Sequence, residues 1–518
     1  MANWFVSTAG WTAVTQWAAT TAYSVGDIRR QTAPTGTGHR VFRCTTAGTS
    51  GGSEPAWNLT KGATTNDNTV VWTEISGNST YNTTSFAAPH YWLQHAISSS
   101  WSAAGDTIYV DDDHAETQAA AVTMTSAGTV SSPQRIICIT STFTNPPVAG
   151  EITTSAVGVN VATTGNNILT LAGSFYCYGL QFKSGSGANS VRLDANNTSS
   201  GGQIYESCVL ETGGTSGGAL FLGSGSSNLN VCYLINTDLK LNSASSMINP
   251  RGSKILWRGG SLTGTVPNGM FGDNGFGDNH TVTELYGIDL NSAGTWTSKY
   301  LCNLTQMEGM SNGRVSFVNC KLASTLAGVA TGTIGTGIYD ARISLINSDS
   351  STASYREEHY QRIGSMVQDT TNYRNSGASD GTTAKSWKVV TLATSTYLEP
   401  FVCPDIYQWV DTTGAKTVTV YIANTTATLQ DADIYMEVEY MGSSATPVGT
   451  VGSTRVNILN TGTNLTTDGT STWAGLVTPT LQIITKSITV NMKGWLRVRV
   501  SVVKASQTVY IDPLISVA

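Results

Sequence analysis

A five-residue phrase recurs through the middle of the chain, and its spacing restricts the fold more than any other feature. Tyr178-Gly-Leu-Gln-Phe182 is echoed by Glu206-Ser-Cys-Val-Leu210, Ile235-Asn-Thr-Asp-Leu239 and Arg258-Gly-Gly-Ser-Leu262. Tyr286-Gly-Ile-Asp-Leu290, Val318-Asn-Cys-Lys-Leu322 and Ile346-Asn-Ser-Asp-Ser350 continue it, with successive starts 28, 29, 23, 28, 32 and 28 residues apart. The second place holds Gly, Ser or Asn, residues that turn a corner in conformations other side chains resist. Side chains two apart on a strand share a face, so the third and fifth places are expected to point inward together. The fifth place is Leu or Phe in six of seven copies, which stacked would form an apolar ladder. Leu180, Cys208, Thr237, Ile288, Cys320 and Ser348 would form a second ladder beside it. A unit of this length cannot bury its own core and must stack on its neighbours. One turn of a parallel β-helix fits, with coils about 4.8 Å apart.

Composition agrees. Only 12% of the 518 residues are charged, about half the share usual for soluble proteins, and Ser, Thr, Asn and 53 Gly supply the polarity. Ser, Thr and Asn compete with a helical backbone for hydrogen bonds and suit short strands and turns. The net charge of −6 comes without a Lys/Arg cluster to track phosphates, so nucleic acid is not an expected partner. No run of 18 apolar residues predicts a membrane span. Met1 to Trp11 has no charged and apolar pattern of a secretory signal, so folding in a cytoplasm is expected. The eight cysteines, Cys44, Cys138, Cys177, Cys208, Cys232, Cys302, Cys320 and Cys403, show no CxxC pair and no zinc spacing. They read as free, small, buried hydrophobes. No cofactor and no metal is expected, since Walker and dinucleotide fingerprints are also missing.

The coils extend toward the N-terminus. Gly105-Asp-Thr-Ile-Tyr-Val110 reads as an opening strand, and Arg135-Ile-Ile-Cys-Ile-Thr140 and Ile168-Leu-Thr-Leu171 as early coils. The GDTIYV phrase followed by a polar turn and by repeated YGL-F and VNC-L coils resembles right-handed β-helix proteins. That group holds pectate-lyase-like enzymes and tailed-phage tailspikes. The resemblance covers roughly residues 86–350 and speaks to fold more than activity.

Residues 1–80 form a Trp-rich module. The phrases Trp17-x5-Tyr23-x2-Gly26-Asp27 and Ser53-Glu-Pro-Ala-Trp57, with Val70-Val-Trp72, resemble chitin-binding-like β-modules of phage virion proteins. Two readings of Trp17, Tyr23, Trp57 and Trp72 stand side by side: exposed rings that stack on sugars, or the core of a domain too small to be held by lesser residues. A docking role for the module is a further option. Residues 351–384 read as an extended segment rather than a helix, because Gly364 and the following polar run break the helical pattern. Residues 385–518 alternate as half-buried strands: Thr417–Ile422, Ile434–Tyr440 and Trp495–Val502, with Glu437, Glu439, Arg497 and Arg499 facing solvent. An antiparallel β-sandwich is expected there. Asp369-Thr-Thr-Asn-Tyr-Arg374, the GASDGTT run and Thr508-Val-Tyr-Ile-Asp-Pro513 resemble segments of tailed-phage β-helix proteins. The resemblance implies a virion-surface protein that associates with other virion proteins and with itself as a homotrimer.

The enzymatic alternative is polysaccharide cleavage, which needs two carboxyl groups about 5–10 Å apart. Asp111 and Asp113 in the Asp111-Asp-Asp-His114 cluster are one candidate set. Asp273 and Asp278, with His280, in a Gly/Asn-rich loop are another. Glu357, Glu358 and His359 read as a solvated or inter-subunit polar patch. Asp238, Asp289 and Asp349 recur at the fourth, outward place and fit a polar strand face. Three function classes follow: a non-enzymatic virion protein (attachment spike, fibre or head decoration), a tailspike depolymerase, and a carbohydrate-binding adhesin outside phage. Low charge and phage-like segments at both ends favour the first, with host surface polysaccharide as a possible partner.

Overall fold

The computed structural model describes residues 2–34, 38–187, 193–195, 202–214, 219–223, 231–250, 253–272, 282–306, 313–332, 340–348, 355–361, 364–369, 386–391, 401–403, 406–424, 434–442, 455–458, 482–490, 493–502, 505–511 and 515–518. Two compact units emerge: Met1–Thr333 with Leu345–Tyr355, and Ile334–Ser344 with Arg356–Ala518. Among the described residues, helix is confined to short pieces such as Thr8–Ala13 and Leu93–Ile97. Among the described residues no helix is long and apolar enough to cross a membrane.

The first unit is a parallel β-helix with three sheets. In the first sheet, Thr107–Asp111, Gln134–Ile139, Phe175–Tyr178, Gly202–Glu206, Val231–Ile235, Lys254–Arg258, Val282–Tyr286 and Gly313–Val318 pair in parallel, each on the next. An eight-stranded sheet from Val122–Thr125 to Gly328–Thr331 and a six-stranded sheet from Glu116–Gln118 to Leu262–Gly264 form the other walls.

The repeat inferred from sequence is the register of the structure. Tyr178, Glu206, Ile235, Arg258, Tyr286 and Val318 lie opposite one another from coil to coil. The second place is a left-handed corner in every copy: φ is +80° at Gly179, +53° at Ser207, +46° at Asn236, +68° at Gly259, +66° at Gly287, +52° at Asn319 and +49° at Asn347. This region penalises Cβ-bearing residues, Asn least among them. The corner does not interrupt the ladder. The N–H of Asn236 donates to Arg258 O at 2.8 Å, that of Gly259 to Tyr286 O at 2.9 Å and that of Gly287 to Val318 O at 2.9 Å. Beyond the corner the inward ladders form as the alternation requires. Phe182, Leu210, Leu239 and Leu262 are paired and buried, and Leu180, Cys208, Thr237, Ile288, Cys320 and Ser348 are buried beside them. The polar members of the second ladder are satisfied by backbone: Thr237 Oγ1 donates to Tyr205 O at 3.0 Å, and Ser348 Oγ to Ile346 O at 2.9 Å. All eight cysteines are buried, and none is joined in a disulfide.

The GDTIYV strand is not the outermost rung. Asn3–Val6, at the other end of the 1–80 module, pairs in parallel with Thr107–Asp111 and extends the first sheet. Asp106 fixes this pairing by accepting the Ala2 N–H at 2.6 Å and the Trp4 indole at 3.1 Å. Burial raises the Asp106 carboxyl, but these hydrogen bonds and that from Ala103 outweigh it and hold the group below its ordinary range. The rest of the module is built on a four-stranded antiparallel sheet, Ile28–Arg30, Val41–Thr46, Val70–Glu74 and Thr64–Asp67 in that order, with a two-stranded pair of Ala22–Tyr23 and Gly48–Thr49 and the Thr8–Ala13 helix in the same module.

The second unit is an antiparallel β-sandwich. One sheet contains Gly364–Asp369, Ser386–Thr391, Thr508–Ile511, Gly414–Asn424 and Gln482–Val490. The other has, among the described residues, Phe401–Val402, Ile406–Val410, Gly494–Val502, Ile434–Gly442 and Arg455–Ile458. Met366, Val389, Val418 and Val420 from the first meet Leu496, Val498 and Val500 from the second in one core. Of the 351–384 segment, Tyr355–Gln361 and Gly364–Asp369 are described and form an antiparallel pair, and the latter joins the sandwich sheet; residues 370–384 lie outside the described residues. Arg497 and Arg499 are half-exposed as the alternation requires. Their Cα partners are Glu439 and Glu437, whose side chains lie outside the described residues.

Candidate functional site

The acidic cluster at the end of Thr107–Asp111 borders a cleft of about 420 Å³. The short helix supplies Ala9, Gly10, Ala13 and Val14, a loop supplies Ser85, Phe86 and Ala87, and Asp111 and Ser141 complete the lining. Asp111 is buried, Asp112 half-buried and Asp113 exposed, and their carboxylate oxygens lie within 4.8 Å of one another.

Hydrogen bonds decide what this cluster does. Ser7 Oγ donates to Asp111 Oδ2 at 2.5 Å, and Ser141 Oγ to Asp111 Oδ1 at 2.6 Å. Ser7 is also the N-cap of the short helix and accepts from Gly10 N at 2.7 Å. Three residues on, buried His114 accepts the Thr8 N–H on Nδ1 at 3.1 Å, which leaves its proton on Nε2, 3.3 Å from Glu116 Oε2. Glu116 Oε2 also accepts Leu93 N–H at 2.8 Å. Asp111, His114 and Glu116 therefore bind the N-terminal helix and the Leu93–Ile97 helix to the first coil. Burial, partly offset by Ser141 and reinforced by Asp111 and Asp113, raises the Asp112 carboxyl. A raised carboxyl beside a second carboxyl is the pattern of a proton donor and its partner. Here only Asp111 lines the cleft, and both its oxygens already accept hydroxyl protons. Among the described residues, no second carboxyl lines this cleft. Three close carboxylates are also a donor set for a hard divalent cation, but Asp111 is satisfied without one.

Asp273, Asp278 and His280 lie outside the described residues. Of the third set, Glu358 is buried rather than solvated and accepts the Tyr360 hydroxyl; the side chains of Glu357 and His359 lie outside the described residues.

The aromatic set of the N-terminal module is its core. Trp17, Tyr23 and Trp72 are buried together with Phe42, Cys44 and Val70, and half-buried Trp57 packs against them. Trp57 stacks on Phe42 at 4.1 Å, and Tyr23 meets Trp72 edge-on at 4.8 Å. Trp17, Tyr23 and Trp72 keep no exposed face for a sugar, because an 80-residue module needs these rings to build a core at all. Sequence reasoning missed the residue that organises them: Asp67 Oδ2 accepts both the Trp17 indole at 2.7 Å and the Trp72 indole at 3.0 Å. The Ser-Glu-Pro phrase has a similar explanation, with Glu54 accepting Trp57 Nε1 at 2.8 Å and Thr32 N at 2.9 Å. An acidic residue three to five positions before a Trp, Glu54 before Trp57 and Asp67 before Trp72, was the signal available for both.

No protein-family model matches the sequence, and neither does any curated protein. Among solved structures, the chain is similar to the enzymatically active domain of tailspike protein 4 from bacteriophage CBA120. That similarity has 10% identity, a TM-score of 0.19, and coverage of 98% of this chain and 78% of that one. It is also similar to the tailspike protein of Acinetobacter phage vB_ApiP_P1, with 9% identity, a TM-score of 0.21, and coverage of 98% and 100%. Neither superposition is close enough to carry a residue role from one chain to the other.

Proposed function

We propose that this chain is a non-enzymatic structural protein of a tailed-phage virion, of the tailspike or fibre kind, acting as a homotrimer on the particle surface. The observation that carries the structural part is the wiring of Asp111. The acidic cleft beside the short N-terminal helix holds a carboxylate committed to Ser7 and Ser141, and so serves to fasten the chain's start to its first coil. The stacked coils supply the matching property, a dry column whose inward ladders run from copy to copy of the repeat. The phage part rests on the β-helix together with the phage-like phrases at both ends of the sequence. The test is incubation of the purified chain with bacterial capsular polysaccharide and lipopolysaccharide. No new reducing ends and no unsaturated sugar products are expected; steady release of oligosaccharide would make the chain a depolymerase instead.

A further inference from the structure

Four of the six histidines, His39, His90, His95 and His114, lie where the N-terminal module meets the first coil. His114 belongs to the fastening described above. The other three share a setting that ties their charge to the contact between module and coil.

His90 is the most enclosed. Its N–H donates to Phe5 O at 2.8 Å, and its carbonyl accepts Ser7 N–H at 3.0 Å, which pins it to the outermost rung. The residue is fully buried, and neither ring nitrogen has a hydrogen-bond partner in the chain. The ring meets Trp101 edge-on at 4.7 Å and lies 6.0 Å from Trp4. It also abuts Gly77 of the module, leaving no room there for a Cβ.

The module closes over these rings with two cations. Lys61 Nζ lies 4.0 Å from the centre of the Trp4 ring and donates to Trp101 O at 2.7 Å. The Arg40 guanidinium lies 4.9 Å from the centre of the Trp101 ring and donates to His95 Nδ1 at 2.9 Å. Trp92 Nε1 donates to His39 Nδ1 at 3.3 Å, and the His39 ring stacks on Tyr91 at 4.2 Å. Both Nδ1 atoms accept, so a proton on either one breaks its bond.

The carboxyls of this region are already engaged. Asp106 accepts from Ala2, Trp4 and Ala103. Glu116 is held by Leu93 and His114. Glu74 accepts Ser76 N–H at 2.8 Å and is raised by burial to about 7, so it takes up its own proton before an imidazole does. Burial, reinforced by Arg40, His95 and Lys61, holds the His90 imidazole well below its ordinary range. Burial, reinforced by Arg40 and His39, lowers that of His95 to about 3.

We propose that this junction is an acid-released latch: protonation of the buried imidazoles frees the N-terminal sheet from the first coil as a unit, while the coils beyond stay stacked. The closed junction keeps His90 and His95 neutral. In the released form each ring is wet and takes a proton near 6.5. Closure from these groups is therefore complete above about 6.5 and is lost as pH falls below it. At about pH 5 each imidazole favours release by about thirtyfold. The inward ladders of the coils are apolar side chains, thiols and hydroxyls, which keep their charge state between about pH 5 and 7. The latch goes beyond the virion role and stands independently of it.

Hydrogen–deuterium exchange of the full chain at about pH 7.5 and about pH 5, corrected for the intrinsic rate of each amide, tests it. Two amides report the junction directly: Phe5 N–H donates to Gly77 O at 3.0 Å, and Gly77 N–H to Ala88 O at 2.7 Å. Both should lose protection in acid. Amides of Val41–Thr46 within the module sheet, and of Val231–Ile235 and Lys254–Arg258 in the coils, should keep theirs. His95→Gln keeps an acceptor for Arg40 but takes no proton, so the acid response at Phe5 and Gly77 should fall about thirtyfold below that of the unsubstituted chain. His90→Phe should lower it by a similar factor. If the larger ring does not fit beside Gly77, His95→Gln decides alone. Equal protection of Phe5 and Gly77 at both pH values overturns the proposal. So does loss of protection in the coils together with the junction, or an acid response of His95→Gln equal to that of the unsubstituted chain.

Discussion

The Ser7 hydroxyl donates to Asp111 Oδ2 at 2.5 Å across 104 residues of sequence. This bond joins the N-cap of the first helix to the end of the first-sheet strand on which the N-terminal rung stacks. Removing either partner leaves a buried polar group unmatched, so Ser7→Ala and Asp111→Asn should each cost about 1–3 kcal/mol. Asp113, exposed on the same turn, should tolerate Asn within about 0.5 kcal/mol. Chemical denaturation of the three variants checks this; equal stability of Asp111→Asn and Asp113→Asn would remove the fastening role.

The corners of the coils give a second expectation. Gly287 has φ +66° with open space where a Cβ would stand, so Gly287→Ala should cost only the left-handed penalty of about 1–2 kcal/mol. Gly260 has φ +92°, and a Cβ there would stand 2.3 Å from Thr237 O. Gly260→Ala must push the neighbouring coil's backbone aside and should be the more damaging change. Thermal melts of the pair test the ordering, and a reversal would contradict the coil packing.

Asp67 should govern the N-terminal module. Asp67→Ala strands the indoles of Trp17 and Trp72, at about 1–3 kcal/mol for each unmatched N–H, and should shift tryptophan emission as the module loosens. An unchanged emission spectrum would mean that the two bonds are dispensable.

Acid should weaken the same region through His95. Burial, reinforced by the charge of Arg40, lowers this imidazole to about 3, and its Nδ1 pairs with the Arg40 guanidinium at 2.9 Å. The folded chain therefore keeps His95 neutral while the unfolded chain takes up a proton near 6.5. Stability from this group is lost as pH falls from about 6.5 toward 3. Glu74, raised by burial to about 7, works in the opposite sense: it costs stability above about 4.5 and is relieved as pH falls. His95→Gln should reduce the fall in melting temperature between pH 6.5 and 3.5. A pH profile identical to that of the unsubstituted chain would show that His95 does not govern it.

Legibility in the sequence followed the strength of local constraint. The second place of the repeat was readable because a left-handed corner admits few residues, and Gly, Asn and Ser at Gly179, Asn236 and Ser207 announce it directly. The inward places were readable because alternation on a strand has a fixed period. Asn3–Val6 was not readable as a rung: four residues carry no period, and the partner strand lies about a hundred positions away. The acids of the cluster look alike in sequence, and only the positions of Ser7 and Ser141 separate a buried fastening from a solvated turn. Trp17 and Trp72 could be read two ways because the same rings make either a core or a platform, and burial alone distinguishes them.

Quantitative peptide mass spectrometry of purified tailed-phage particles, from a lysate in which this chain is made, tests the central claim most directly. The chain is expected in the particles, co-purifying through density gradients at a fixed ratio well below that of the major capsid protein. Its absence from particles while abundant in the soluble lysate would contradict the virion role.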